Sequence, residues 1–235
     1  MLIGGIRGKI IFINMFFFEK AIKYFSNLKI PNSIPREIEI TNPYDTEVVK
    51  EIVRKFYSKF YNDAKDRLFI IGINPGRFGG GLTGIAFTDP VALRENCRIE
   101  NKLGDRKELS SKFIYTVIEK FGGTDVFFSI VFLTALYPFA ITKNGKNYNY
   151  YDEKSLSVLL RKEIIDNVIR QISFGARRDF AILLGKKNAN HFSPINEEHK
   201  FFNKIVVLEH PRYIMQYKLK QIDGYIKKYL RAINN

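Results

Sequence analysis

The sequence has one cysteine, Cys97, and three histidines, and each shortage removes a class of protein. A single thiol closes no intramolecular disulfide, so a reducing, cytoplasmic setting is expected. It also cannot hold an iron–sulfur cluster, which takes several thiolates. His191, His199 and His210 are scattered and make no zinc site with one cysteine, so no metal or other cofactor is expected. Long apolar runs are missing too. The stretch from Lys9 to Phe18 is too short to span a bilayer, Glu19-Lys20 stops it, and no small-residue cleavage site follows. Residues 1–14 read as a leader or short strand, with Met15 as an alternative start, and no membrane partner is expected. No repeat, low-complexity tract or Ser/Gly linker divides the remainder, so 15–235 is expected to form one domain and to act as a monomer.

Acidic residues are the other scarcity. Asp and Glu number 24 against 38 Lys and Arg, a net charge of +14 that favours polyanionic partners. Hydrophobic residues make up 46% of the chain, ample for a core.

Apolar spacing predicts helices over 16–27 and 46–63, the latter through Val48, Ile52, Phe56 and Phe60. Compact apolar runs predict buried strands at Leu68–Ile73, Val126–Leu133, Phe180–Leu184 and Ile205–Leu208, with helices near 107–121, 155–174 and 213–232. Strands alternating with helices imply an α/β fold: a three-layer α/β/α sandwich around a mostly parallel four-stranded sheet. Ligands of such sheets sit outside the carboxyl ends of the strands. Asn74 follows the first strand and His210 the last, so both belong to that edge.

Gly79, Gly81 and Gly84 satisfy the spacing of a dinucleotide-binding loop. Asn74-Pro75-Gly76 intervenes between strand and glycines, and no second strand ends in an acidic residue at the required distance, which argues against that use. A merely flexible glycine loop remains an alternative. Taken together, Gly72-Ile73-Asn74-Pro75-Gly76, Phe78-Gly79, Thr83-Gly84 and Phe87 resemble the first motif of the single-strand-selective monofunctional uracil-DNA glycosylases. Their pattern is Gly-Met-Asn-Pro-Gly-Pro-Phe-Gly, then Thr-Gly-Val-Pro-Phe, and the spacing from Asn74 to Phe87 matches without a gap. Glu209-His210-Pro211 resembles the start of the second motif. Val126-Phe127-Phe128 through Pro138, then Asn144-Gly145-Lys146-Asn147, is similar to the middle segment.

The resemblance implies an enzyme that flips a nucleotide out of DNA, single- or double-stranded, and hydrolyses its glycosidic bond. Asn74 would position the attacking water, and His210 would hydrogen-bond the departing base. Phe87 would stack on the base, with Ile73, Gly76, Phe78, Thr134 and Ala135 around it. Arg77, Gly79, Pro211, Arg212 and Tyr213 would meet the DNA. Arg212-Tyr213-Ile214-Met215 could fill the gap left by the flipped nucleotide, or Arg212 could contact phosphate alone. Lys186 and Lys187, with Arg177-Arg178, Lys218 and Lys220, are further candidates for the DNA path. Neither motif holds a lysine for Schiff-base chemistry, so no lyase activity is expected.

Three departures mark a divergent, bacterial-type branch. The family places asparagine three residues before the middle-segment proline, where it reads the uracil edge; here that position is Ala135. Arg77 replaces the family's proline, and Arg-Tyr-Ile stands where relatives have Ser-Pro-Arg. Without the asparagine amide the site could accept other deaminated bases, xanthine among them. A binding protein that keeps the pocket without catalysis, and a small-molecule nucleotide enzyme, are the readings from other classes.

Overall fold

The computed structural model describes residues 15–31 and 34–235; the expected leader or strand over 1–14 lies outside them. The chain opens with α1 (Phe17–Ser26), β1 (Ile38–Thr41) and α2 (Glu47–Phe60). The Thr46 hydroxyl accepts the Val49 N–H at 3.3 Å and caps α2. The central strand β2 (Leu68–Gly72) is buried along its whole length. Short helices α3 (Gly80–Thr83) and α4 (Pro90–Glu95) follow, then α5 (Leu109–Phe121) and α6 (Thr124–Ile130) lead into β3 (Val131–Ala135). A hairpin of β4 (Ala140–Lys143) and β5 (Lys146–Tyr148) precedes α7 (Lys154–Leu159), α8 (Arg161–Ile172) and β6 (Phe180–Leu184). The chain closes with α9 (Lys186–His199), β7 (Lys204–Leu208), α10 (Pro211–Tyr217) and α11 (Ile222–Ile233).

The four-stranded sheet has the order β3-β2-β6-β7, and every neighbouring pair is parallel. β2, β3 and β6 are buried at every residue, as strands covered by helices on both faces must be. The chain begins this sheet at β2, steps outward to β3, then returns across β2 to β6. That reversal opens a crevice at the carboxyl ends of the strands. A three-stranded antiparallel sheet, β1-β4-β5, stands apart from it. Asn144 and Gly145 connect β4 to β5 with φ of 51° and 67°. Two consecutive left-handed residues suit the twist of a two-residue hairpin, which is why Asn-Gly stands there.

Several expectations change. Val126–Ile130 is helix α6, and the strand begins only at Val131. An apolar run carries no period of its own, and Asp125 in the first turn favours a helix N-terminus. The helix expected over 155–174 is two helices that meet at Leu160, and the one over 213–232 is broken at Lys218–Gln221. Helix α9 and the small sheet were not expected. The buried face of α9 is Asn188, Ala189, Phe192, Ile195 and Asn196, so two asparagines occupy positions where apolar side chains would reveal the period. Asn196 holds the N–H and C=O of Phe202, each at 2.9 Å.

Not all the basic charge faces outward. Arg67 is fully buried, paired with Asp63 at 2.8 Å and lying 4.9 Å from the rings of both Phe17 and Tyr61. Arg178 donates to the carbonyls of Phe201 and Lys200, and Arg177 pairs with Asp179. Both sit at the amino end of β6, the edge opposite Asn74 and His210, which removes them from the expected DNA path.

Candidate active site

A cavity of about 220 Å³ opens at the carboxyl ends of β2, β3 and β7. Such a space admits several waters or a flat heterocycle. Its floor is the strand end Gly72-Ile73-Asn74 with Ala135 beside it. The Asn74 amide is held from two sides. Its Nδ2 donates to the Tyr148 carbonyl at 3.0 Å, and its Oδ1 accepts the Tyr150 N–H at 3.2 Å. Two main-chain partners of opposite type fix which end of the amide is which. One N–H and one lone pair of the side chain remain for a ligand or water.

Phe87 forms a wall of the cavity and has φ of 56°, a rare conformation for a bulky residue. The turn before it is tied by the buried Thr83 hydroxyl, which donates to the Thr88 carbonyl at 2.7 Å and accepts the Ile85 N–H at 3.1 Å. The Phe87 ring lies directly over Gly72, where an added Cβ would come within 2.5 Å of it. Glycine at 72 therefore leaves room for the tip of the ring against the strand end. His210 faces Phe87 with ring centroids 6.1 Å apart.

His210 follows β7 and caps α10, with Pro211 at the first helical position. Its Nδ1 accepts the Arg212 N–H at 3.2 Å, so in the neutral ring the proton resides on Nε2. Burial first, and the Arg212 charge second, hold its pKa down at about 4. The histidine is thus a neutral donor at physiological pH.

Glu108, at the N-cap of α5, enters the same cavity from outside the expected motifs. Its carboxylate accepts the Phe78 N–H at 3.2 Å and occupies the space that side chains at Gly76 and Gly79 would need. Its own N–H donates to Asp89 at 2.8 Å. Burial raises its pKa, against the lowering effects of the Phe78 N–H and Arg212. The guanidiniums of Arg77 and Arg106 both lie over the Phe78 ring, at 4.4 and 5.0 Å from its centroid.

The sequence matches the description "Uracil DNA glycosylase superfamily" over residues 58–234. Among solved structures, that of wild-type Pedobacter heparinus SMUG2 is similar, with a TM-score of 0.91 and 41% identity over 94% of this chain and 97% of that one. A search of the curated proteins finds no match. The chain belongs to the uracil-DNA glycosylase superfamily. Within it the chain falls in the SMUG-like branch, and membership supports reading it as a DNA glycosylase.

Of the residues expected in this glycosylase site, Ile73, Asn74, Gly76, Phe78, Phe87, Ala135, His210 and Arg212 line one cavity. Thr134 does not join them; its hydroxyl bonds to Gln171 in the core. Ile214 and Met215 are buried, so Arg212 and Tyr213 are the exposed residues of that stretch. Gly79 backs onto Glu108, Arg77 hangs outside on Phe78, and Pro211 is buried as helix N1. Lys186 and Lys187 are exposed at the start of α9, away from the cavity wall, and Lys187 pairs with Asp152 at 3.2 Å. Lys107, outside both motifs, does line the cavity. Among the described residues no three His, Cys, Asp or Glu side chains cluster as a metal site, and no helix is long and apolar enough to cross a membrane. Cys97 is buried against the Tyr115 hydroxyl at 3.0 Å, and burial pushes its thiol up to about 12, far from a reactive thiolate.

Proposed function

We propose that the protein is a monofunctional DNA glycosylase that excises uracil or a related deaminated base. The observation that carries this reading is the convergence of Asn74, Phe87 and His210 on one cavity with room for a base. The target nucleotide leaves the stack and its base enters the cavity against Phe87, where base–aromatic stacking contributes about 1–3 kcal/mol. As the glycosidic bond breaks, its electron pair goes to the base and positive charge develops on the sugar. The Nε2–H of His210 donates to the base as that negative charge grows, in a site where a fixed dipole acts with little reorganisation. Asn74 orients a water through its remaining N–H and lone pair, and the water adds to C1′, its released proton passing through solvent to the departing base anion. Asparagine is a poor base, so its contribution is positioning rather than proton abstraction.

Ala135 favours a broader substrate range than uracil alone. It lines the cavity without a side-chain donor or acceptor, so no amide there discriminates one base edge from another. Deaminated purines such as xanthine therefore belong among the substrates to be tried.

The test is incubation with single- and double-stranded oligonucleotides bearing uracil, hypoxanthine or xanthine, followed by alkaline cleavage of abasic sites. Product on at least one substrate is expected, without cleavage before alkali. No product on any, with binding retained, would make it a binding protein. Covalent capture on DNA by borohydride, lost in Lys107→Ala, would overturn the monofunctional assignment.

A further inference from the structure

Outside the cavity, Arg77 and Arg106 converge on Phe78 from different segments, with the ring between loop and loop. Phe78 itself lines the cavity, so the two guanidiniums stand at its mouth. Arg77 is fixed at its root by its N–H, which donates to Asn147 Oδ1 at 3.1 Å. Neither arginine forms an ion pair among the described residues. The acids nearest Arg106 in sequence are already engaged. Asp105 pairs with Arg94 at 2.5 Å, and Glu108 accepts the Phe78 N–H.

Two unneutralised guanidiniums held over one ring have a specific chemical meaning. Contact with a ring takes up no N–H, and the N–H edges of a guanidinium match the oxygens of a phosphate in paired bonds. It also orders long side chains before any ligand arrives, which lowers the entropy lost on binding. We propose that Arg77 and Arg106 clamp the phosphodiester flanking the flipped nucleotide, with Phe78 as the rigid platform between them. This rests on the glycosylase reading, because a base seated in the cavity brings its own backbone to the mouth. It also assigns a use to Arg77, which stands where relatives have proline, and to Arg106, which lies outside both motifs.

The experiment is fluorescence-anisotropy binding of a single-stranded oligonucleotide carrying a tetrahydrofuran abasic analogue, titrated with KCl. Each lost phosphate contact lowers the salt slope by about 0.7 on a single strand. Arg106→Ala and Arg77→Ala are each expected to show that decrease, with affinity down about tenfold at low salt. Replacing a flanking phosphate by methylphosphonate should cost the native protein a similar factor and cost Arg106→Ala nothing further. A native slope in both variants, or losses that multiply, would overturn the clamp. A decrease seen only with duplex would overturn it too, by assigning the arginines to the opposite strand. Failure of the native protein to bind this oligonucleotide while it still releases a base in the excision assay would overturn the clamp alone; failure in both would remove the glycosylase reading and the clamp with it.

Discussion

The carboxylate of Glu108 sits in the hollow of the Gly76–Gly79 turn and accepts the N–H of Phe78 at 3.2 Å. A methyl group at Gly76 would overlap that carboxylate, whereas one at Gly81 would meet the Gly76 carbonyl at 2.7 Å and Ala140 at 2.9 Å. Gly76→Ala should therefore displace a side chain and cost about 1–2 kcal/mol in lost charge-assisted hydrogen bonding. Gly81→Ala presses on backbone and should cost more. Combining Gly76→Ala with Glu108→Ala should cost less than the two single changes together, measured by denaturant unfolding. Strict additivity would show that Glu108 does not hold the turn.

Asn74→Ala should lower single-turnover excision by about 10²–10³-fold, the scale seen when one preorganised donor is removed. Oligonucleotide affinity should change little. Asn74→Asp should not restore activity, because a carboxylate oxygen would then face the Tyr148 carbonyl in place of the Nδ2 donor. Recovery in the aspartate variant would mean that a general base, rather than an oriented amide, is sufficient.

The pH dependence follows from the sign of the His210 shift. Its folded value, about 4, lies below its ordinary 6.5, so between these the unfolded chain binds the extra proton. Stability from this residue is at its full level above pH 6.5 and falls as pH drops toward 4, by about 3 kcal/mol in total. His210→Asn should flatten that part of the profile, measured as unfolding free energy at pH 7 and pH 4.5. Equal pH slopes in native and variant protein would show that His210 is not held neutral.

Ala135→Asn should shift selectivity toward uracil, with a change in the uracil-to-xanthine kcat/KM ratio of up to about tenfold, the scale of one added hydrogen bond. An unchanged ratio in a folded variant would show that base choice is made elsewhere in the cavity.

Much of the frame was legible because buried parallel strands announce themselves as short apolar runs. Leu68–Gly72 and Phe180–Leu184 appear in the sequence nearly as they stand in the sheet. Val126–Ile130 misled for the same reason, since an apolar run without period suits a buried helix equally. Helix α9 was hidden by its buried asparagines, whose partners lie on Tyr150 and Phe202 and cannot be read locally. In the site, Asn74, Phe87 and His210 were legible because motif spacing survives in sequence. Glu108 was not, because within Asp105-Arg106-Lys107-Glu108 it looks like one more solvated charge. Only the fold shows that its carboxylate lies in a glycine turn.

The hold on Asn74 comes from main-chain atoms of residues 148 and 150 and from neither tyrosine ring. The Tyr150 ring acts only indirectly, by burying this stretch and donating its hydroxyl to Asn188 at 3.0 Å. Proline at 150, which has no N–H to offer, would release one end of it. A residue added to or removed from the Asn144-Gly145 turn would shift both anchors together. The alignment of the Asn74 amide is thus encoded in the length and course of a small hairpin and the residues that follow it.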